Sequence, residues 1–272
     1  MRELTLPAPL IMLPGLAADA RLFGPQCRAL GPNAIASDWP ALIHGSGRET
    51  LQGYARRWAH ALHTEHVAKL DSNQPWFLAG SSMGGMVAQE MLAYFPRPPQ
   101  GLLLMGSAQR GGTVSRFAQW GAMLAQWVDR PKVLRWVARG LMVPTSLYDA
   151  QDDDGRRLLC QMMMDANADR LQWGVQVCVD WHGPAEAAED AGVVPVKQIH
   201  GAADRIISGG LEDADVVVPG AGHFLNLSHE RTVNRWLFDE VTQWCGIDEK
   251  AASRVEDPRV SWARRPEVAS QF

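Results

Sequence analysis

Ser82 lies in Gly80-Ser81-Ser82-Met83-Gly84, between the apolar run Trp76 to Ala79 and a segment in which Met86, Val87 and Met91 recur at helical spacing. Glycines flanking a serine between a buried strand and a helix mark a turn tight enough to strain the serine backbone, and they hold its hydroxyl above the sheet. That hydroxyl is a poor nucleophile at neutral pH until a base takes its proton and an acid orients the base. Both residue types follow downstream. Val194-Pro-Val-Lys-Gln-Ile-His-Gly201 reads as a strand, and Asp204 stands just past its C-terminal end. Val216-Val-Val-Pro-Gly-Ala-Gly-His223 reads as a shorter strand followed by a glycine-rich turn that carries His223. Ser82, His223 and Asp204 are therefore the candidate nucleophile, base and acid of an acyl-transfer reaction.

Competing residues have simpler roles. Asp213 and Asp215 precede the last strand and fall at its opposite end, and Asp180 sits in a helical region. His44, His60, His63 and His66 lie in a polar segment that touches water. His200, at a strand end, is accounted for by packing. His229 follows Ser228, a helix N-cap by residue type, and reads as a surface residue. A tetrahedral oxyanion also needs backbone N–H donors fixed before reaction. Leu10-Ile-Met-Leu-Pro-Gly-Leu-Ala-Ala-Asp19 reads as a buried strand and a small-residue turn, which brings the N–H of Leu16 close to that of Met83.

Taken together, Leu10 to Leu16, the Gly80 to Gly85 turn, Asp204 and His223 resemble the α/β-hydrolase superfamily across roughly the first 245 residues. The chain order serine, acid, histidine is the one used by that superfamily, unlike the orders of chymotrypsin-like and subtilisin-like enzymes. Pro14-Gly15 stands where many relatives carry His-Gly, and Ser81 where relatives often carry histidine. The resemblance implies an α/β fold: a mostly parallel sheet of about six strands flanked by helices, with the site at the strand C-termini. It also implies a lidded serine carboxylesterase that needs no cofactor and acts on a small ester-like molecule. Alternatives on the same triad are a thioesterase or a carbon–carbon bond hydrolase; a slow-turnover ligand sensor is the alternative from another class. Haloalkane dehalogenases and epoxide hydrolases of the superfamily use an aspartate nucleophile, and Ser82 argues against both.

Length and composition agree with a single catalytic domain. The chain of 272 residues is long enough to bury a full α/β core, and its net charge of -4 offers no polyanion surface, so nucleic acid is not an expected partner. Cys27, Cys160, Cys178 and Cys245 lack the spacing of a metal site or a disulfide framework, which points to the cytoplasm. The apolar N-terminal run is short and broken by Pro7, Pro9 and Pro14, unlike a signal peptide or a membrane span. Strands are expected at 9–13, 33–37, 75–80, 101–107, 194–200 and 214–219. Helices are expected from about Pro25, from Glu49 to Lys69 and from Ser228 to Trp244. Residues 1–107 and 194–246 form the expected core, and 247–272 a tail or extension.

Between them, 108–193 is expected to be a helical lid. In it Phe117, Trp120, Met123, Leu124 and Trp127, then Val133, Trp136, Val137 and Leu141, then Leu158, Leu159, Met162 and Met163, repeat at helical spacing. Asp152-Asp153-Asp154 before Gly155 suits a solvated turn between helices rather than a cation site, and no metal is expected.

Overall fold

In the computed structural model, which describes residues 4–43, 49–112, 153–184 and 194–247, the apolar runs pair as one sheet in the order β2-β1-β3-β4-β5-β6. The strands are β1 (Leu10–Leu13), β2 (Ala34–Ala36), β3 (Phe77–Ser81), β4 (Leu102–Met105), β5 (Val196–Gly201) and β6 (Val216–Val218). Every pairing is parallel, with Leu13 opposite Gly80 and Ser81 opposite Met105. Each strand lies where the sequence places it, to within a residue or two at either end.

A parallel sheet needs cover on both faces, which is why β1, β4 and the Phe77–Ala79 part of β3 are continuously apolar rather than alternating, while β5 also carries Lys197, Gln198 and His200. The period-2 pleat divides their side chains between two cores. Leu10, Met12, Phe77, Ala79, Leu103 and Met105 pack on one face with Leu30 of α1 (Gly24–Leu30) and with Val233, Leu237 and Val241. Ile11, Leu13, Leu78, Leu102 and Leu104 pack on the other with Tyr54 and Trp58 of α2 (Leu51–Glu65) and Met86 and Val87 of α3 (Met83–Met91). Burying each large apolar side chain contributes about 1.5–3 kcal/mol. Because α1 joins β1 to β2 on one face and α2 returns the chain to β3 on the other, the two connections diverge between β1 and β3. That divergence opens a crevice at the C-terminal ends of those strands.

Three helix boundaries differ from expectation, the first being the end of α2 at Glu65 rather than Lys69, since His66 is its C-cap and Val67–Lys69 forms a separate 3-10 turn. Helix α2 starts at Leu51 rather than Glu49, because Thr50 is the N-cap and its Oγ1 accepts the Gly53 N–H at 3.1 Å. Glu49 is used instead as a partner for Arg57, at 2.7 Å. The last helix starts at Glu230 with His229, not Ser228, at its N-cap, since Ser228 ends a separate short helix, Leu225–Ser228. Between β4 and β5 the chain forms α4 (Asp153–Asp165) and α5 (Ala168–Asp180), with Asn167 capping the latter through the Arg170 N–H at 2.9 Å. Asp153 and Asp154 thus open a helix rather than a turn, in the first-turn positions where acidic residues favour the helix dipole. Of the expected lid, residues 113–152 and 185–193, including the stripes from Phe117 to Leu141, lie outside the described residues, as do His44 and the tail from 248 onward. Among the described residues, no helix is long and apolar enough to cross a membrane.

Candidate active site

Ser82 joins β3 to α3 with φ +53° and ψ −125°, a left-handed region that costs a non-glycine residue on the order of 1–3 kcal/mol. Its neighbours hold it there. The Ser82 N–H donates to Met105 O at 3.1 Å, and the Ser82 carbonyl accepts from Ser107 Oγ at 2.7 Å and from the Gly85 N–H at 2.9 Å. The glycines are needed for close approach of backbone to backbone. A Cβ at Gly80 would stand 2.5 Å from Gly84 C and O and from Gly85 Cα, and a Cβ at Gly84 would collide with Pro14 O and Leu13 O.

The strand ends bring the candidate residues together. His223 Nε2 lies 2.9 Å from Ser82 Oγ, and His223 Nδ1 lies 2.8 Å from Asp204 Oδ2. All three residues are buried. Asp204 Oδ1 accepts the N–H groups of Ile206 and Ile207 at 2.8 and 3.0 Å. Burial by itself would push the Asp204 carboxyl up. The charge of His223 and the hydrogen bonds from His200 and His223 outweigh it and hold the group well below the usual carboxylate range.

Leu16 follows Gly15, which lies against Ser82, and Met83 follows Ser82 directly. Met83 is the first residue of α3, a position whose N–H has no acceptor within an α-helix. Gly15, just before Leu16, is so close that a Cβ there would stand 3.1 Å from Ser82 Cβ, and Ala17 turns the chain with φ +64°. The side chains of both residues converge on Gly174 of α5, where a Cβ would stand 2.6 Å from Leu16 Cδ1 and 2.9 Å from Met83 Sδ. Helix α5 therefore lies across this corner of the crevice.

The competing acids are engaged elsewhere. Asp213 pairs with Arg110 at 2.5 Å, Asp215 with Lys197 at 2.8 Å, and Asp180 accepts from Gln176 at 2.5 Å. His200 is the residue whose place the sequence reading missed. It is fully buried, and its Nε2 sits 3.0 Å from Asp204 Oδ2, so the acid has an imidazole on each side. The signal available was the spacing His200-Gly201-x-x-Asp204 around a strand end, where Gly201 lets the chain fold back against Ala221 and Gly222. Among the described residues, no group of three His, Cys, Asp or Glu side chains could hold a metal ion.

A parallel sheet with a strained serine after β3, and with a carboxylate and an imidazole after later strands, defines a class. The chain belongs to the Alpha/beta hydrolase family, which it matches over residues 10–236. No curated protein sequence is similar enough to count as a match. Solved structures share the fold at low identity. An esterase from Exiguobacterium antarcticum superposes with a TM-score of 0.67 at 16% identity, covering 88% of this chain and 93% of that one. A thermophilic esterase from Thermogutta terrifontis gives 0.67 at 16%, covering 88% and 91%. A bromoperoxidase from Bacillus anthracis gives 0.64 at 16%, covering 87% and 93%. At such identities the likeness is one of fold, and the fold carries more than one chemistry.

Proposed function

We propose that the protein is a serine hydrolase that cleaves small to medium carboxylic esters through an acyl-enzyme on Ser82. His223 takes the Ser82 proton as the hydroxyl attacks the ester carbonyl, and Asp204 orients the imidazole and supports its positive charge. The N–H groups of Leu16 and Met83 receive the oxyanion. The protonated His223 then gives its proton to the departing alkoxide. Water, activated by the same imidazole, releases the acid and restores the serine.

The observation that carries this reading is the unbroken buried contact from Ser82 Oγ through His223 to Asp204, at 2.9 and 2.8 Å. The esterases of similar fold support the substrate class. Residues 108–193 are read as the lid, with α5 as the part that roofs the oxyanion corner. Four unpaired cysteines suit a reducing compartment, so the cytoplasm is the proposed location.

The test is a panel of soluble esters and thioesters from acetyl to dodecanoyl, run on wild type and Ser82→Ala. Each buried methylene contributes about 0.8 kcal/mol until the pocket is full, so kcat/KM is expected to rise over the first few carbons and then fall. Ser82→Ala is expected to be inactive throughout. Retention of turnover by that variant, or a consistent preference for thioesters, overturns the assignment.

A further inference from the structure

Asp204 stands between two buried imidazoles, and the proposed mechanism uses only one. His223 Nδ1 and His200 Nε2 approach the same oxygen, Oδ2, at 2.8 and 3.0 Å, while Oδ1 is taken by two backbone N–H groups. The two approaches differ in quality. His223 is aligned for a hydrogen bond, whereas the His200 Nε2–H lies off the line to Oδ2. The carboxylate therefore gives its stronger interaction to the candidate base.

The tautomer of His200 follows from its surroundings. A bare ring nitrogen would repel a carboxylate oxygen at 3.0 Å, so Nε2 carries the hydrogen. On the other edge, Gln198 Nε2 donates to Gly210 O at 2.6 Å and to Ser107 O at 3.2 Å, which fixes the amide with its nitrogen inward. That nitrogen lies 3.4 Å from His200 Nδ1. A hydrogen on Nδ1 would point at a group that only donates, so Nδ1 is bare and the ring is neutral. Among the described residues, the Ser208–Glu212 turn meets His200 through the backbone of Gly210, which carries no charge. The acids farther along that turn, Glu212 and Asp213, face Arg110. Among the described residues, Asp204, with His223 beyond it, is the titratable group in contact with His200. Glycine at 210 makes room, since a Cβ there would stand 2.6 Å from His200 Cε1.

We infer that His200 is a positioning residue: a neutral imidazole beside Gln198 whose Nε2–H is packed against Asp204 Oδ2 at 3.0 Å, off the hydrogen-bond line, and limits the movement of the carboxylate that orients His223. It has this role only if Ser82, His223 and Asp204 act as proposed above. A buried carboxylate with an unmatched lone pair is costly and can rotate to find another donor. The Ile206 and Ile207 N–H groups restrain Oδ1, and His200 closes the remaining side of Oδ2. Being neutral, it does so without adding a second cation to compete for Asp204 when His223 becomes charged.

The experiment measures kcat and kcat/KM of wild type, Ser82→Ala, His200→Phe and His200→Gln with 4-nitrophenyl butyrate from pH 5 to 9. His200→Phe replaces the imidazole with a somewhat larger aromatic ring that carries no nitrogen. It is expected to lower kcat by about 10- to 100-fold with KM little changed, because the base is no longer held in line. It should also move the acid limb of kcat/KM up by about half a unit to one unit, because the Asp204 charge is then shared less and falls more fully on His223. His200→Gln places an amide N–H near the position of Nε2, and it is expected to recover most of both effects. A folded His200→Phe with an unshifted limb, or His200→Gln as impaired as His200→Phe, shows that the imidazole only fills space and overturns the inference. Turnover retained by Ser82→Ala rejects the triad instead, whatever the His200 variants do. If His200→Phe fails to fold, the decision passes to the wild-type protein labelled with ¹⁵N-histidine, with the His200 resonances assigned from His200→Gln. A long-range ¹H–¹⁵N correlation at pH 7.5 is expected to show His200 as the neutral Nε2–H tautomer. The Nδ1–H tautomer or an imidazolium overturns the inference.

Discussion

The turn at Ser82 and α5, the proposed roof, meet at Gly174, yet they are held in opposite ways. At the turn, backbone lies on backbone: Gly80 faces Gly84 and Gly85, and Gly84 faces the carbonyls of Leu13 and Pro14. The roof is held by long side chains. Trp173 donates its indole N–H to Glu49 O at 2.7 Å and packs on Tyr54 with ring centroids 4.7 Å apart. Trp181 donates to Glu90 Oε1 at 2.9 Å, and the Arg170 guanidinium lies 5.9 Å from the centre of the Trp39 ring. Backbone contacts admit almost no adjustment, which suits atoms that must stay within tenths of an ångström of a reactive geometry. Side-chain contacts admit repacking, which suits a surface that selects substrates.

The largest expected effects lie at the turn. Ser82→Ala is expected to lower kcat on the order of a millionfold while the protein melts cooperatively, since the backbone strain there does not depend on the hydroxyl. Asp204→Asn is expected to cost roughly ten-thousandfold, because an amide can favour the wrong imidazole tautomer. Asp204 also carries a pH signature. Its carboxyl is held below its unfolded value, so the stability it contributes is fully present above about pH 4 and is lost as the pH falls through the lower folded value. Denaturant midpoints of wild type and Asp204→Asn are therefore expected to differ most near neutrality and to converge in acid. A gap that widens below pH 4 would contradict this assignment of charge.

The next pair compares the two regions directly. Gly84→Ala drives a methyl group into the Pro14 and Leu13 carbonyls, which cannot move without displacing β1, and a loss of about 3 kcal/mol or more is expected in urea unfolding. Gly174→Ala meets only the ends of the Leu16 and Met83 side chains. A cost of about 1 kcal/mol is expected, with kcat reduced several-fold if Leu16 supplies an oxyanion N–H as proposed. If the two variants were equally destabilised, the distinction between backbone and side-chain contact would fail.

The same distinction explains what could be read in the sequence. Strands and the Ser82 turn were legible because apolar runs and glycine spacing are local, and the chain order of Asp204 and His223 follows from strands already located. The start of the last helix was not legible. Ser228 is a good cap by residue type, but a helical turn from Phe224 already uses it, with its N–H donated to Phe224 O at 3.2 Å. His200 escaped because its partners come from three places: Gln198 on its own strand, Gly210 in a turn and Asp204 past the strand end. No local pattern encodes such a convergence. The seating of α5 was illegible for a related reason, since the indoles of Trp173 and Trp181 reach acceptors on α3 and before α2 that no periodicity links to them.

The smallest expected effect tests whether the roof is a fixed wall. Trp173→Phe keeps an aromatic ring against Tyr54 and removes the N–H that reaches Glu49 O. A net loss of about 1 kcal/mol is expected, the ordinary contribution of one intramolecular hydrogen bond. Because the group removed is bonded to Glu49 O, just before α2, and to none of the proposed catalytic residues, kcat on a short ester such as acetyl should change little. The effect should instead grow with acyl length, as a loosened helix packs less well on added methylenes and KM rises along the series. Michaelis–Menten kinetics over the acyl panel, with a thermal melt for each protein, would measure both. A uniform fall in kcat for every acyl length would mean that the roof helps place the oxyanion turn itself, and that the two regions act as one.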